Sequence, residues 1–357
     1  MTIQTLPATL NLNGSSTNAY DPRLSQLMAQ AETDWGDPQQ NLKQIIRYNM
    51  GDEFDRAMWG VDLIDGELIT IQAPKKARKS TFLANLVISF AAQLKERGLW
   101  LAIDTLESGM TPRAYRDVLT AIVATRLLIS DAVGSADRSR WPSASSLENH
   151  PRMAEQAPLR ITRKFLRFGM RTYDQNRAIK EAMKYVAGLP ITIFGSSQKE
   201  GEARDIKKGM ERWSDLYHGD HGRLSDMPHR IFCVDNVQQY REFAGNSYYG
   251  LEIITNDLSN FLTSHPGSVV IAVSQVSLGS VRLNQQSSGE SEMEVRGGSR
   301  LAEESVTVFQ TRYDKKNPSQ LIIETPFSRY EPPPTMIQEI EPYSGTFLSP
   351  AKPLIKE

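Results

Sequence analysis

The stretch Leu68-Ile-Thr-Ile-Gln-Ala-Pro-Lys-Lys-Ala-Arg-Lys79-Ser80-Thr81 decides how the rest of the chain is read. Leu68 to Ile71 is short, apolar and rich in β-branched residues, the composition of a buried strand. Ala73 to Lys79 is a polar, basic loop. From Ser80 the apolar residues recur at helical spacing, and the pattern ends near Gly98. Strand, loop and helix in that order form the setting of a phosphate-binding loop, whose pattern is G-x-x-x-x-G-K-[ST]. The chemistry needs backbone N–H groups turned toward phosphate oxygens, a lysine reaching the β and γ oxygens, and a hydroxyl for Mg²⁺. Lys79 and Ser80 supply the last two. Ala73, Pro74, Lys75, Lys76, Ala77, Arg78, Lys79, Ser80 and Thr81 are the candidate nucleotide-binding residues.

Both glycines of the pattern are replaced, by Ala73 and Arg78. A left-handed backbone at Arg78 costs a non-glycine residue about 1–2 kcal/mol. The charges of Lys75, Lys76 and Arg78 offset a weaker backbone cradle. The competing reading is a basic, solvated turn before an ordinary helix. Three other strand ends weigh against it. Ile231-Phe-Cys-Val-Asp235 is an apolar strand closing on a carboxylate, the place from which such sites hold Mg²⁺. Leu101-Ala-Ile-Asp-Thr-Leu-Glu107 ends on acids, and Glu107 is placed to polarise an attacking water. Val269-Val-Ile-Ala-Val-Ser-Gln275 ends on a glutamine able to sense a γ-phosphate. Each alone also fits a bland strand-end residue. Together, in this order, they place four polar groups at the carboxyl ends of strands, where open α/β sheets bind ligands.

The remaining pattern is an alternation of strands and helices, which predicts a mostly parallel twisted sheet flanked by helices. Helices are expected at 111–130, 160–187, 206–217 and 251–263, with strands at 189–194, 306–311 and 321–324. The chain has 357 residues, 39% hydrophobic and 23% charged, with formal net charge −1. That is enough for one large domain with extensions, and too balanced for a protein that coats nucleic acid through overall charge. Any such contact needs a local basic surface. The single cysteine, Cys233, excludes an internal disulfide and fits a reducing compartment. The first residues carry no secretory signal pattern, and no apolar run approaches the roughly 20 residues of a bilayer span, so a cytoplasmic protein without membrane contact is expected. Residues 1–50 read as an N-terminal arm with short linker helices, 51–348 as the main domain with an inserted loop at 131–158, and 349–357 as a tail.

Across residues 51–348 the chain resembles the motor domain of DnaB-type replicative helicases, in a phage or mobile-element version. The likeness runs through Phe54 to Thr70, the loop at Lys79, Thr105-Leu-Glu107-Ser-Gly-Met110, Ile231 to Gln238, Val273-Ser-Gln275 and Arg296 to Glu304. It implies a RecA-like P-loop ATPase core that uses ATP and Mg²⁺. Glu107 inherits the role of catalytic base, Ser80 and Asp235 hold the metal, and Gln275 acts as sensor. Ile322-Ile-Glu-Thr-Pro-Phe-Ser-Arg329 resembles the family's trans-acting finger. Arg329 stands for its arginine, and Phe327 occupies the place of its lysine. The resemblance further implies a homo-oligomeric ring, a hexamer, unwinding DNA in replication, with a primase or loader as partner.

Two segments after the hydrolytic strands correspond to the family's pore loops: Arg241 to Gly250, and Gly279 to Arg296. Arg241, Arg282 and Arg296 are candidate phosphate contacts for single-stranded DNA, and Tyr248 and Tyr249 candidate stacking groups. The basic run from Arg160 to Arg171 reads equally as a solvated helix face or a DNA path. Two other functions remain compatible with these residues. One is a filament-forming recombinase or recombination mediator. The other is a degenerate nucleotide-binding regulatory module.

Overall fold

Helices cover both faces of the central strands, which is why those strands read as nearly unbroken apolar runs. The computed structural model describes residues 44–75, 77–106, 110–133, 161–169, 171–195, 205–218, 228–245, 247–276, 300–313, 317, 319–329, 332–341, 344–348 and 350–354. The expected N-terminal arm and the 131–158 insertion lie almost wholly outside them. Strands β1 (Ile45–Ile46) and β2 (Val61–Asp62) pair antiparallel, with helix α1 (Asp52–Met58) between them in the chain. The main sheet has nine strands: β3 (Glu67–Ala73), β4 (Trp100–Thr105), β5 (Ile191–Gly195), β6 (His229–Asp235), β7 (Val269–Gln275), β8 (Thr307–Tyr313), β9 (Gln320–Ser328), β10 (Met336–Glu339) and β11 (Lys352–Pro353). Their spatial order is β11-β10-β9-β8-β3-β7-β6-β4-β5. The strands from β8 to β5 run parallel, and β9, β10 and β11 extend the sheet antiparallel beyond β8.

The two faces hold separate cores. On one, α2 (Lys79–Glu96), α3 (Pro112–Val133), α4 (Arg163–Phe168) and α5 (Tyr173–Ala187) pack on Ile69, Ile71, Leu101, Ile103, Ile231, Cys233, Ile271 and Val273. On the other, α6 (Ile206–His218), α7 (Arg241–Gly245), α8 (Ser247–Ser264) and α9 (Arg300–Glu304) pack on Leu68, Ala102, Phe232, Val234, Val270 and Ala272. Side chains along a strand alternate between faces. Asp235 therefore points with Cys233 toward α2, and Asp104 points with Ala102 toward α6.

The mostly parallel α/β sheet expected from the sequence is the one observed. Three local expectations are corrected. The helix at 160–187 is two helices, broken after Phe168. Thr172 restarts the chain with a capping box in which its side chain accepts from Gln175 N and the Gln175 side chain answers the Thr172 backbone. Within the expected loop, Arg241–Gly245 and 247–250 are helical: α7 and the start of α8 meet so closely that a Cβ on Gly250 would stand 2.2 Å from the Glu242 carbonyl oxygen. That glycine serves close packing, although in sequence it reads as a loop signal. Finally, β10 and β11 were not expected. Beyond Pro332-Pro333-Pro334, Met336 and Gln338 are buried in β10, which pairs with β9 and β11. No described helix is long and apolar enough to cross a membrane.

Candidate nucleotide-binding site

The loop after β3 turns at once: Ala77 N donates to Pro74 O at 3.1 Å. Arg78 then adopts φ 57°, ψ 28°, the left-handed conformation that the missing glycine would have taken without strain. The first bond of α2 follows, from Phe82 N to Arg78 O at 2.9 Å. No side chain caps this 18-residue helix and no acidic residue sits in its first turn, so its positive end is left for an anion. Lys79 opens the helix and is buried, with Ser80 and Thr81 partly so; Ala73 and Ala77 are buried, Lys75 is exposed, and Pro74 and Arg78 are in between. Lys76 lies outside the described residues.

The sheet register brings the other strand ends to this loop. Gln275 lies opposite Ala73, one strand away, and Val276 N donates to Ala73 O at 3.1 Å. Asp235 lies opposite Val273, which lies opposite Ile71, so Asp235 is two strand spacings, about 10 Å, from the P-loop strand. Lys79 and Asp235 thus share both a rim and a face of the sheet. Asp235 is 1% exposed. Burial pushes the Tyr115 hydroxyl and the Cys233 thiol up, and the Asp235 charge pushes both further, which marks all three groups as neighbours under α2 and α3. A hydroxyl and one carboxylate suit Mg²⁺, which keeps waters and takes its other ligands from substrate phosphates. Among the described residues no cluster of three or more His, Cys, Asp or Glu side chains forms a metal cage. The donor set therefore fits a cation that arrives with a phosphate ligand.

Neighbouring side chains hold this rim in place. Gln238 clamps the end of β7: its Nε2 donates to Ser274 Oγ at 2.7 Å, and its Oε1 accepts from Gln275 N at 3.0 Å. Asn85 ties α2 to the segment near the chain end. Its Nδ2 donates to Thr81 O at 2.9 Å and Gly345 O at 3.0 Å, and its Oδ1 accepts from Arg126 at 2.9 Å. Gly345, at φ 74°, presses on the first turn of α2; a Cβ there would stand 2.1 Å from Thr81 Cγ2. Sequence reading missed Asn85 and Gly345. The nearest signal was a polar residue on the apolar face of a predicted helix.

Other candidates fall elsewhere. Glu107 lies outside the described residues, but Leu106 before it is buried and its N–H bonds Asp235 O at 2.8 Å. Arg241 is exposed at the start of α7, on the carboxyl-end rim, and Tyr249 is 63% exposed. Arg282, Arg296 and the rest of the second pore segment lie outside the described residues. Arg329 is exposed at the opposite rim: its N–H bonds Val306 O at 2.9 Å, and Val306 N bonds Leu68 O at the start of β3. Phe327 beside it is 41% exposed. Within the basic run, Arg167 is engaged by Asp117 at 2.7 Å.

No protein-family model matches the chain, and no curated protein matches it. Solved structures do. The ATPase domain of a phage protein superposes with TM-score 0.57 at 15% identity, over 92% of this chain and 99% of that one. A DnaB-like replicative helicase, solved in a study of its interactions with primase, superposes with TM-score 0.57 at 14% identity, over 94% of this chain and 68% of that one. At such identities the likeness is one of backbone architecture. The chain has the RecA-like fold of DnaB-type helicase ATPase domains.

Proposed function

We propose that the chain is an ATP-driven motor on single-stranded DNA, a helicase or translocase of the replicative kind, working in the cytoplasm as a homo-oligomeric ring. The observation that carries this reading is the convergence of Lys79, Ser80, Asp235 and Gln275 on one rim and one face of the sheet. Lys79 and the N-terminal amides of α2 bind the triphosphate, and Ser80 and Asp235 hold Mg²⁺. Bound there, the cation neutralises charge on the phosphate oxygens. Glu107, which follows β4 in the chain, takes the proton of the attacking water. Gln275, held by Gln238, lies beside the loop on the strand between Lys79 and Asp235, where it reads the γ-phosphate. Arg329 completes a neighbour's site, since it lies at the far rim of its own sheet. Arg241, Arg282 and Arg296 take the DNA backbone, and a primase or loader is the expected partner.

The test is ATP turnover with and without single-stranded DNA, beside sizing in Mg²⁺ and ATP. The wild-type chain should be stimulated by the strand. Lys79→Ala should lose about a hundred-fold or more in turnover while keeping its fold by circular dichroism. Glu107→Gln should bind nucleotide and fail to hydrolyse it. Unchanged single-turnover hydrolysis in Lys79→Ala would remove the site. One observation favours a second reading, a slow nucleotide-binding regulatory module: the strained Arg78 where this loop normally has glycine. Strand-independent, very slow turnover points to that alternative.

A further inference from the structure

On the face of the sheet away from Lys79, polar side chains from three elements meet in the core. Asp104 comes from β4 and is 1% exposed. Gly209, Arg212 and Trp213 come from α6, Tyr240 from the turn before α7 and Glu242 from the first turn of α7. An Arg212 nitrogen stands 3.9 Å from Asp104 Oδ2, and its guanidinium lies 4.8 Å from the Phe194 ring centroid. A Cβ on Gly209 would stand 3.6 Å from the Tyr240 hydroxyl and 3.9 Å from Asp104 Oδ2, so both groups face the same bare stretch of helix. Neither oxygen of Asp104, nor the Tyr240 hydroxyl, nor Glu242 Oε2 has a hydrogen-bond partner among the described residues. The other Glu242 oxygen accepts from Ile206 N at the start of α6.

A core built for stability alone places apolar groups in such a position, because buried polar atoms without hydrogen bonds destabilise the fold. The cluster's location supplies a reason for it. Asp104 lies two residues before Leu106, which bonds the backbone of Asp235 and leads into Glu107. Tyr240 immediately precedes Arg241. An ion pair between buried Asp104 and partly exposed Arg212 therefore lies between the rim of the nucleotide site and the segment 241–250. Burial raises the Asp104 carboxyl to about 6, with Arg212 opposing the rise. Tyr240 and Glu242 are the other titratable groups of the cluster.

We propose that buried Asp104 and Tyr240, with Arg212 beside them, form a coupling that carries the state of the nucleotide site to segment 241–250, with Asp104 a positioning residue for that segment. The coupling rests on the nucleotide-binding half of the reading above and is independent of whether DNA is the ligand of 241–250.

The test is hydrogen exchange of the full chain, read by mass spectrometry, with and without a non-hydrolysable ATP analogue and Mg²⁺. Analogue affinity is measured on the same samples. In the wild type the analogue should change exchange in 241–250 by at least about five-fold, the lower range of allosteric couplings. In Asp104→Asn and Tyr240→Phe that response should vanish, with analogue affinity within about two-fold and thermal stability equal or higher, because the first removes a buried charge and the second an orphaned buried hydroxyl. Gly209→Ala should do the same: alanine favours the helix, and its methyl fits in ordinary contact while separating Tyr240 from Asp104. An equal response in the wild type and all three variants overturns the coupling. So does a wild type that binds the analogue with no change in 241–250. A wild type that binds no analogue removes the nucleotide reading itself, and the affinity measurement separates that failure from the others.

Discussion

Arg78 shows how a degenerate motif keeps its geometry. The loop needs one left-handed residue to swing the chain into α2, and the sequence places an arginine there at φ 57°. The backbone accepts the strain because both sides of the turn are fixed, by β3 in the sheet and by α2 in the core. Arg78→Gly is expected to stabilise the protein by about 1 kcal/mol, read as a raised urea midpoint with unchanged slope. A loss instead would mean that contacts such as its 3.4 Å bond to Glu341 O outweigh the strain. Asp104 gives a second, pH-dependent expectation. Its ordinary value of 3.8 is raised to about 6 by burial, against the pull of Arg212. Between those values the folded chain binds a proton that the unfolded chain has released, so stability falls as pH rises through the window, and the full cost stands above it. Asparagine mimics the protonated form at every pH. Asp104→Asn should therefore be more stable than wild type above pH 7 by on the order of 2–3 kcal/mol, with the gap closing toward pH 4. Urea titrations at stepped pH measure this, and a gap independent of pH would clear the charge of responsibility.

The parallel core was legible in the sequence because its central strands carry largely apolar runs, two of which end on polar residues, Asp235 and Gln275. The same register that buries Ile71, Val273 and Cys233 sets Lys79 and Asp235 on one face, so pattern and site came together. What escaped was structure made by distant contacts. The turn into Arg241–Gly250 reads as loop because its glycines break helix propensity, yet Gly250 is small to admit α7. The stretch from Ser344 to Phe347 has no periodicity, and only the folded chain shows it against the first turns of α2. Asn85 is the hinge of that contact, 1% exposed and bonded to Gly345, Phe347, Thr81 and Arg126. Burial lowers Arg126 to about 9, so it depends on such acceptors. Asn85→Ala should cost about 2–4 kcal/mol by stranding several buried groups at once. Chemical unfolding checks it, and a cost under about 0.5 kcal/mol, the range of neutral surface changes, would mean the segment is held without Asn85.

Arg329 decides whether one chain suffices for catalysis. It is level with Leu68 at the beginning of β3, and the phosphate loop begins at Ala73 at the other end. Five residues of strand separate the two levels, about 16 Å. No single side chain spans that distance, so Arg329 cannot touch phosphates bound by its own Lys79. If it serves hydrolysis, it serves a neighbour's. In the proposed closed ring of identical subunits every interface would be the same, and Lys79 of one chain would face Arg329 of the next. Arg329→Ala should then bind nucleotide normally and turn over poorly, as Lys79→Ala does for a different reason. Mixing the two inactive variants in equal amounts tests the arrangement directly. A chain carrying Arg329→Ala keeps an intact Lys79, and a Lys79→Ala neighbour supplies an intact Arg329. Random assembly pairs them correctly at about a quarter of interfaces, so up to about a quarter of wild-type turnover should return on mixing. Failure to recover any activity, with both variants still oligomeric by sizing, would place Arg329 outside the neighbour's site and leave the open rim of the sheet without a catalytic role.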